Sequence, residues 1–191
     1  MKLAVFASGS GSNFQSIVNA IHEGRLDASV EVLICDKPDA FVIERATKEN
    51  IPYFAFQAKE YENKTAYERV IIEKLEEHGI DFIALAGYMR LIGPTLLERY
   101  PEKIVNIHPS LLPSFPGKDA IGQAFRAGVK VTGVTIHYVD AGMDTGPIIA
   151  QKAVDLEEDE TEESIAAKIH EVEHAIYPET LQKIQANLSR V

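Results

Sequence analysis

At 191 residues the chain is long enough to form one domain with a substantial core, and its hydrophobic fraction of 46% and charged fraction of 25% are ordinary for a globular protein. The net charge of −10, from 29 acidic and 19 basic residues, disfavours a nucleic-acid partner, which would require a basic surface. Cys35 is the only cysteine, which excludes an intrachain disulfide and a cysteine zinc cluster, and the lack of a signal peptide or a membrane-length apolar run predicts a cytoplasmic protein with no membrane partner.

The first half of the chain alternates apolar runs with helical patterns. Strands are predicted at 2–7, 30–35, 53–56 and 81–86, and helices at 14–24, 40–49 and 65–79. Thr65 and Glu68 have the spacing of a capping box and are predicted to open the third of these helices. The alternation predicts an α/β fold, Rossmann-like, with a mostly parallel twisted sheet covered by helices on both faces.

The second half continues the pattern with three further strands, the last two joined by a tight polar turn. A short helix is predicted at 95–99, strands at 104–108, 131–139 and 148–154, and a helix at 120–127. Proline and glycine between 114 and 119 predict a mobile loop. An acidic connector should open a helix that Pro178 ends, before a terminal helix. Repeats and linkers are absent, so residues 1–191 are predicted to form one domain.

A glycine-rich turn joins the first strand to the first helix, with the sequence Ser-Gly-Ser-Gly-Ser-Asn over 8–13. Backbone amides in such a turn can approach an anion, and the helix dipole favours one there. Phe14 takes the place of the third glycine of a dinucleotide fingerprint, and no Walker sequence follows. The phosphate of a small ligand is therefore predicted, the alternative being an ordinary turn with Asn13 as the helix cap.

Asn106 and His108 are predicted to share one face at the end of a buried strand, because side chains two residues apart point the same way. Pro109 cannot donate to a strand ladder and should end the strand. Ligands of open α/β sheets bind at the carboxyl ends of strands, and an amide beside an imidazole suits a carbonyl that gains negative charge. The alternative is a strand end with a core histidine.

Two loops could complete a site at the same edge of the sheet. Asp144, in a glycine-bounded turn, could reach His108, favour its charged form and orient its ring, unless Asp144 and Asp140 only bond their own turn. The apolar loop 88–92 follows a central strand and could line a slot for a flat heterocycle. The alternative for this loop is core packing.

A zinc-protease pattern, His-Glu-x-x-His, occurs over 170–174 on a predicted helix. The pattern is short and arises by chance, Val172 directs the helix into a core, and no third ligand is obvious. We therefore predict no metal. Glu173 and His174 could instead reach the ligand edge of the sheet.

Five segments together resemble the phosphoribosylglycinamide formyltransferases, members of the 10-formyltetrahydrofolate-dependent formyltransferase family. These segments are 9–13, 86–90, 106–113, 140–147 and 173–178. The Asn-x-His-Pro-Ser-Leu-Leu-Pro stretch is shared by enzymes that use formyltetrahydrofolate and therefore implies the chemistry. The Gly-Ser-Gly-Ser-Asn loop and the Glu-His-Ala-Ile-Tyr-Pro segment imply the acceptor, glycinamide ribonucleotide. The resemblance covers nearly the whole chain and implies a formyltransferase fold.

The resemblance also implies a role for each matching residue. The residues that hold the phosphoribosyl substrate would be Gly11, Ser12 and Asn13, with Glu173 on the ribose side. The residues that contact the folate would be Met89, Arg90, Leu91, Ile92 and Asn106, with Lys64 meeting the folate tail. The catalytic set would be Asn106, His108 and Asp144. The family often has arginine at the position of Lys64, and lysine keeps the charge but loses the two-pronged geometry.

The implied reaction transfers the formyl group of 10-formyltetrahydrofolate to the amine of glycinamide ribonucleotide, a step of purine biosynthesis. Its partners would be these two small molecules, and a homodimer stays open. Three other readings also stay open. The chain could be a formyltetrahydrofolate hydrolase, another formyltransferase, or a non-catalytic binder of phosphoribosyl or folate ligands.

Overall fold

The computed structural model describes residues 1–190, and within this range all strands belong to one sheet. The strands are β1 (Lys2–Ala7), β2 (Ser29–Cys35), β3 (Tyr53–Ala55), β4 (Phe82–Leu85), β5 (Ile104–His108), β6 (Val131–Tyr138) and β7 (Ile148–Asp155). They are arranged in the order β3-β2-β1-β4-β5-β6-β7. β1 to β5 run parallel, whereas β6 pairs antiparallel with both of its neighbours.

Helices cover both faces of this sheet, which confirms the predicted α/β fold. They are α1 (Ser12–His22), α2 (Val42–Lys48), α3 (Lys64–Glu77), α4 (Pro94–Arg99), α5 (Ala120–Ala127) and α6 (Glu162–Leu188). Apolar side chains of α1 and α6 form one core against the sheet, and those of α3 and α4 form the other. Among residues 1–190 no helix combines the length and apolarity needed to cross a membrane.

The strand order reverses between β1 and β4, which lie side by side and parallel in the middle of the sheet. Successive strands on either side of this point are connected in opposite directions, so the loops after β1 and β4 separate and leave a crevice at the carboxyl edge. β5 lies next to β4 and extends that edge. In the register between β5 and β6, Asn106 lies opposite His137 and His108 lies opposite Thr135.

The predicted capping box at the start of α3 is wrong. The helix begins one residue earlier, at Lys64, and its N-cap is Asn63, whose side chain accepts a hydrogen bond from the Ala66 amide at 2.9 Å. Glu68 lies inside the helix and is buried against the segment that precedes α4. The capping-box spacing selected Thr65 and Glu68, but the Glu68 carboxylate accepts its hydrogen bond from the distant Gly93 amide and not from the start of its own helix.

The prediction that Pro178 ends a helix is also wrong, because α6 continues through it to Leu188. Proline removes one backbone hydrogen bond and crowds the preceding turn, which costs about 3 kcal/mol in a helix interior. Tyr177 and Leu181 flank the proline and are fully buried in the core. Burying two such side chains supplies free energy of the same order or larger, so the packing overrides the helix breaker.

Tyr177 attaches α6 to the ends of two strands. Its hydroxyl donates to the carbonyl of Leu85 at 2.8 Å and approaches the carbonyl of Val105 at 3.3 Å. We expect Tyr177→Phe to lower the free energy of unfolding by about 1–2 kcal/mol, since it removes a donor from buried acceptors. Urea unfolding should show a lower midpoint with an unchanged slope. The half-exposed Tyr53 provides the control, Tyr53→Phe, and equal midpoints for both variants would contradict the prediction.

Candidate active site

A cavity of about 500 Å³ opens at the carboxyl edge of the sheet, where β1, β4 and β5 end. The predicted site residues that line it include Gly11, Asn13, Met89, Asn106, His108 and Asp144. The structure therefore brings the glycine-rich turn, the loop after β4 and the end of β5 to one space. Its volume is that of a site for a small organic ligand.

Asn106 faces this cavity from β5, on the same edge as His108, as strand alternation predicts. Its amide nitrogen lies 3.3 Å from Nε2 of His137. The Nδ1–H of His137 donates to the Tyr138 carbonyl at 2.8 Å, which orients the buried ring. Sequence reasoning missed His137 as a site residue. Its alternation within β6 was visible, but the register that places it opposite Asn106 was not.

His108 is buried, and both of its ring nitrogens face hydrogen-bond acceptors. Its Nε2–H donates to the Phe115 carbonyl at 2.8 Å, and its Nδ1 lies 3.5 Å from Oδ2 of Asp144. A neutral imidazole carries one proton and could serve only one of these two acceptors. The ring is therefore held between the loop carbonyl of Phe115 and the carboxylate of Asp144.

Asp144 lies between two imidazoles in a turn of left-handed backbone, with φ of 55°. It accepts a hydrogen bond from the Gly117 amide at 2.7 Å and lies 3.6 Å from Nε2 of His137. Burial by itself raises the pKa of this carboxyl, but the contacts with His137 and Gly117 and the charge that His108 can carry together hold the pKa below its ordinary value. Asp140 instead bonds its own turn, through the Gly142 amide and the Thr145 hydroxyl.

The glycine-rich turn meets α6 at the other end of the cavity. Gly11 has φ of 74°, and α1 begins there without any side-chain cap, so Asn13 is not a helix cap. The Asn13 amide donates to Oε2 of Glu173 at 3.2 Å, and Nδ1 of His170 lies 3.0 Å from the same oxygen. Ser12 also lines the cavity. The turn is therefore open to an anion while its asparagine is held by the buried Glu173.

A glycine is required at position 11. A Cβ atom there would collide with the side chain of Val42 at the start of α2, in a backbone conformation that favours glycine. The hydrogen bond with Glu173 raises the pKa of His170, although partial burial opposes it. A protonated His170 adds positive charge beside the open amides.

The two histidines of the His-Glu-x-x-His pattern on α6 differ in their position relative to the cavity. His170 lines the cavity, whereas His174 lies outside its lining, so only Glu173 of the two predicted residues reaches the ligand edge. The two imidazoles stack with centroids 6.4 Å apart, and burial lowers the pKa of His174. Within residues 1–190 no group of three or more His, Cys, Asp or Glu side chains is placed to hold a metal ion.

The loop after β4 is attached to the ends of β1 and β2. The Met89 amide donates to the Ser8 hydroxyl at 2.9 Å, and that hydroxyl donates to the buried carboxylate of Asp36 at 2.5 Å. Nε of Arg90 lies 2.9 Å from the other Asp36 oxygen. Met89 is exposed toward the cavity, whereas Ile92 is buried. Asp36 was not predicted as a site residue, although its position directly after a strand was the signal.

Lys64 is the predicted binding residue that the structure does not bring to the cavity lining. It lies on the exposed first turn of α3, and its ammonium group donates to the Leu91 carbonyl at 2.9 Å. The Leu91 side chain is half-exposed and lines the cavity. Lys64 therefore contacts the backbone of the loop whose side chains form the cavity wall.

Residues 1–181 match the model of the family described as formyl transferase. The chain is 62% identical over 183 residues to phosphoribosylglycinamide formyltransferase of Bacillus subtilis, covering 96% of this chain and 94% of that protein. The crystal structure of phosphoribosylglycinamide formyltransferase from Bacillus halodurans is 57% identical and superposes with a TM-score of 0.94, covering 96% of this chain and 95% of that one.

A second solved structure, glycinamide ribonucleotide transformylase 1 from Geobacillus kaustophilus, is 61% identical with a TM-score of 0.94 and covers 96% of this chain and 97% of that chain. The similarity thus extends over the sheet, the glycine-rich turn and the strand end that carries the amide and the imidazole. With a family match over nearly all its length, the chain belongs to the formyl transferase family.

Proposed function

We propose that this protein transfers the formyl group of 10-formyltetrahydrofolate to the amine of glycinamide ribonucleotide, giving formylglycinamide ribonucleotide in purine biosynthesis. The observation that carries the proposal is that the glycine-rich turn and the apolar loop 88–92 line one cavity together with Asn106 and His108. The names of the Bacillus subtilis relative and of the two solved structures support this acceptor.

In the proposed reaction the amine attacks the formyl carbon, a C–N bond forms and the carbonyl electron pair moves onto oxygen. The Asn106 amide and the His108 imidazolium stabilise this oxyanion, and Asp144 favours the charged imidazole. When the carbonyl re-forms, the bond to N10 of the folate breaks, and N10 receives the proton that the amine loses. No metal takes part in this scheme.

The two substrates are assigned to opposite ends of the cavity. The phosphoribosyl group would lie on the open turn formed by Gly11, Ser12 and Asn13, with the ribose beside Glu173. Backbone amides at the start of α1 supply the anion-binding groups in place of a general positive field. The pteridine would lie against the loop side chains, namely Met89, Arg90, Leu91 and Ile92, and reach Asn106.

The proposed partners are these two small molecules, and the net charge of −10 supports the expectation that nucleic acid is not a partner. We further propose that residues 1–191 act as one domain, since all seven strands share one sheet. A cytoplasmic location without membrane attachment is proposed with it and can be tested by cell fractionation. Sedimentation would decide whether the chain forms a homodimer.

The first experiment is a spectroscopic assay of formyl transfer from 10-formyltetrahydrofolate, with and without glycinamide ribonucleotide. Turnover that requires the ribonucleotide supports the proposal. Equal consumption of the formyl folate without the ribonucleotide would make the protein a hydrolase. Binding of both ligands without turnover would make it a binding protein.

Glu173 provides a test of the ribonucleotide end. We expect Glu173→Gln to raise the KM for glycinamide ribonucleotide about tenfold. The glutamine side chain has one acceptor oxygen instead of two, and it lacks the negative charge that holds the side chains of Asn13 and His170. The KM for the formyl folate should stay unchanged. Glu171→Gln, an exposed change on the same helix, is the control. A rise in the KM for the formyl folate, with the KM for the ribonucleotide unchanged, would contradict the assignment of Glu173 to the ribonucleotide end of the cavity.

A further inference from the structure

Glu68 is a buried carboxylate that the proposed reaction does not use. Its side chain is 2% exposed, and it lies on the face of α3 that packs against the segment leading into α4. Its Oε2 accepts a hydrogen bond from the Gly93 amide at 3.1 Å. Within residues 1–190 its Oε1 is buried without a hydrogen-bond partner. Burying a carboxylate is costly in free energy, so we expect Glu68 to have a role that offsets this cost.

The segment that Glu68 contacts is continuous with the wall of the folate slot, by which we mean the loop 89–92 against which the pteridine is proposed to lie. Ile92 lines the cavity, and Gly93 follows directly at the start of α4. A Cβ atom at position 93 would collide with the Glu68 carboxylate, so the glycine permits the close approach. The carboxylate and the wall of the slot are therefore fitted to each other at one point.

Lys64 holds the same wall from one helical turn away. Residues four apart lie on the same face of a helix, so Lys64 and Glu68 of α3 face the loop together. The lysine donates to the Leu91 carbonyl while the glutamate accepts from the Gly93 amide. The two side chains thus bind a backbone acceptor and a backbone donor two residues apart.

We propose that Glu68 and Lys64 are positioning residues that fix the backbone of residues 91–93 and thereby hold the wall of the folate slot in its binding conformation. The inference rests on the proposed function, because it concerns the folate side of that site. Neither residue needs to touch the folate for this role. A loop released from both contacts would occupy its folate-binding conformation for a smaller fraction of the time. The affinity for folate would fall in proportion to that fraction.

The test is a set of variants at position 68 assayed with both substrates. Glu68→Met keeps the side-chain length but removes the acceptor, and it should raise the KM for 10-formyltetrahydrofolate about tenfold, the scale of a lost hydrogen bond to a charged group. The kcat and the KM for glycinamide ribonucleotide should stay within about twofold, because the other end of the cavity is untouched. Glu68→Gln retains an acceptor oxygen and should restore most of the affinity.

Asn63→Ala is the matched control, because it removes the cap of the same helix without touching the loop. Loss of such a cap costs about 1 kcal/mol, so this variant should lower the melting temperature and leave the folate KM unchanged. An equal rise of the folate KM in Asn63→Ala, or a rise of both substrates' KM in Glu68→Met, would overturn the proposal. So would a Glu68→Gln variant as weak as Glu68→Met.

Lys64→Met decides the question if Glu68→Met does not fold, since Lys64 is exposed. The assay uses 10-formyltetrahydropteroate, which lacks the glutamate tail. A raised KM with this tail-free donor supports the positioning role, whereas an effect seen only with the full folate would assign Lys64 to the tail and overturn it. Should the wild type show no turnover, the proposed function fails. Calorimetric binding of tetrahydrofolate to the same variants then tests the positioning role alone.

Discussion

His108→Ala is expected to lower kcat by about a hundredfold or more, because it removes one of the two side-chain donors aimed at the developing oxyanion. The KM of each substrate should change little, since the turn proposed to bind the phosphate and the loop proposed to bind the pteridine are formed by other residues. The measurement is steady-state formyl transfer with both substrates varied. Retention of tetrahydrofolate binding would show that the variant is folded.

His22→Ala is the matched control for this variant, because His22 is an exposed histidine at the end of α1 and away from the cavity lining. Its kcat should equal that of the wild type. A His108→Ala enzyme that keeps a kcat within about tenfold of the wild type would contradict an oxyanion role for the imidazole.

Asp144→Asn is expected to lower kcat and to change the pH dependence of the rate. The amide removes a carboxylate whose pKa is held below its ordinary value by His137 and Gly117, so the loss of rate that protonation of Asp144 causes in the wild type at low pH should be absent from the variant. The rate should fall about tenfold at neutral pH, because the negative charge beside Nδ1 of His108 is lost.

Asp155→Asn, an exposed change at the end of β7, is the control and should leave the profile unchanged. If Asp144→Asn keeps both the rate and the pH profile of the wild type, Asp144 does not tune His108.

The order of strands and helices was predictable because each element has its own local period. Alternating and continuous apolar runs located every strand, and glycine or proline marked most of the turns. The errors at α3 and α6 have a different origin. At α3 the capping-box spacing selected Thr65, whereas the N-cap is Asn63, and at α6 the packing of Tyr177 overrides the helix-breaking tendency of Pro178. Nothing local shows that Glu68 bonds a glycine or that Tyr177 anchors a helix.

The candidate site was predictable where one strand carries it. The two-residue spacing of Asn106 and His108 suffices to place them on one face. His137 and Asp36 escaped because their roles depend on which strands are neighbours in the sheet, a property of the topology rather than of any short window. The resemblance to the family predicted that Lys64 meets the folate tail. In the structure its side chain donates to the Leu91 carbonyl of the neighbouring loop.

The hydrogen bond from His108 to the Phe115 carbonyl has a consequence for where the imidazole acts. In the ground state, a substrate carbonyl oxygen that accepts this hydrogen bond displaces the Phe115 carbonyl. One neutral acceptor then replaces another of nearly equal strength. Once the oxygen is negative, the same hydrogen bond joins two opposite charges and becomes stronger, while the displaced loop carbonyl is unchanged. In the proposed reaction the Phe115 carbonyl would therefore compete with the bound substrate for this hydrogen bond but would compete less well with the transition state.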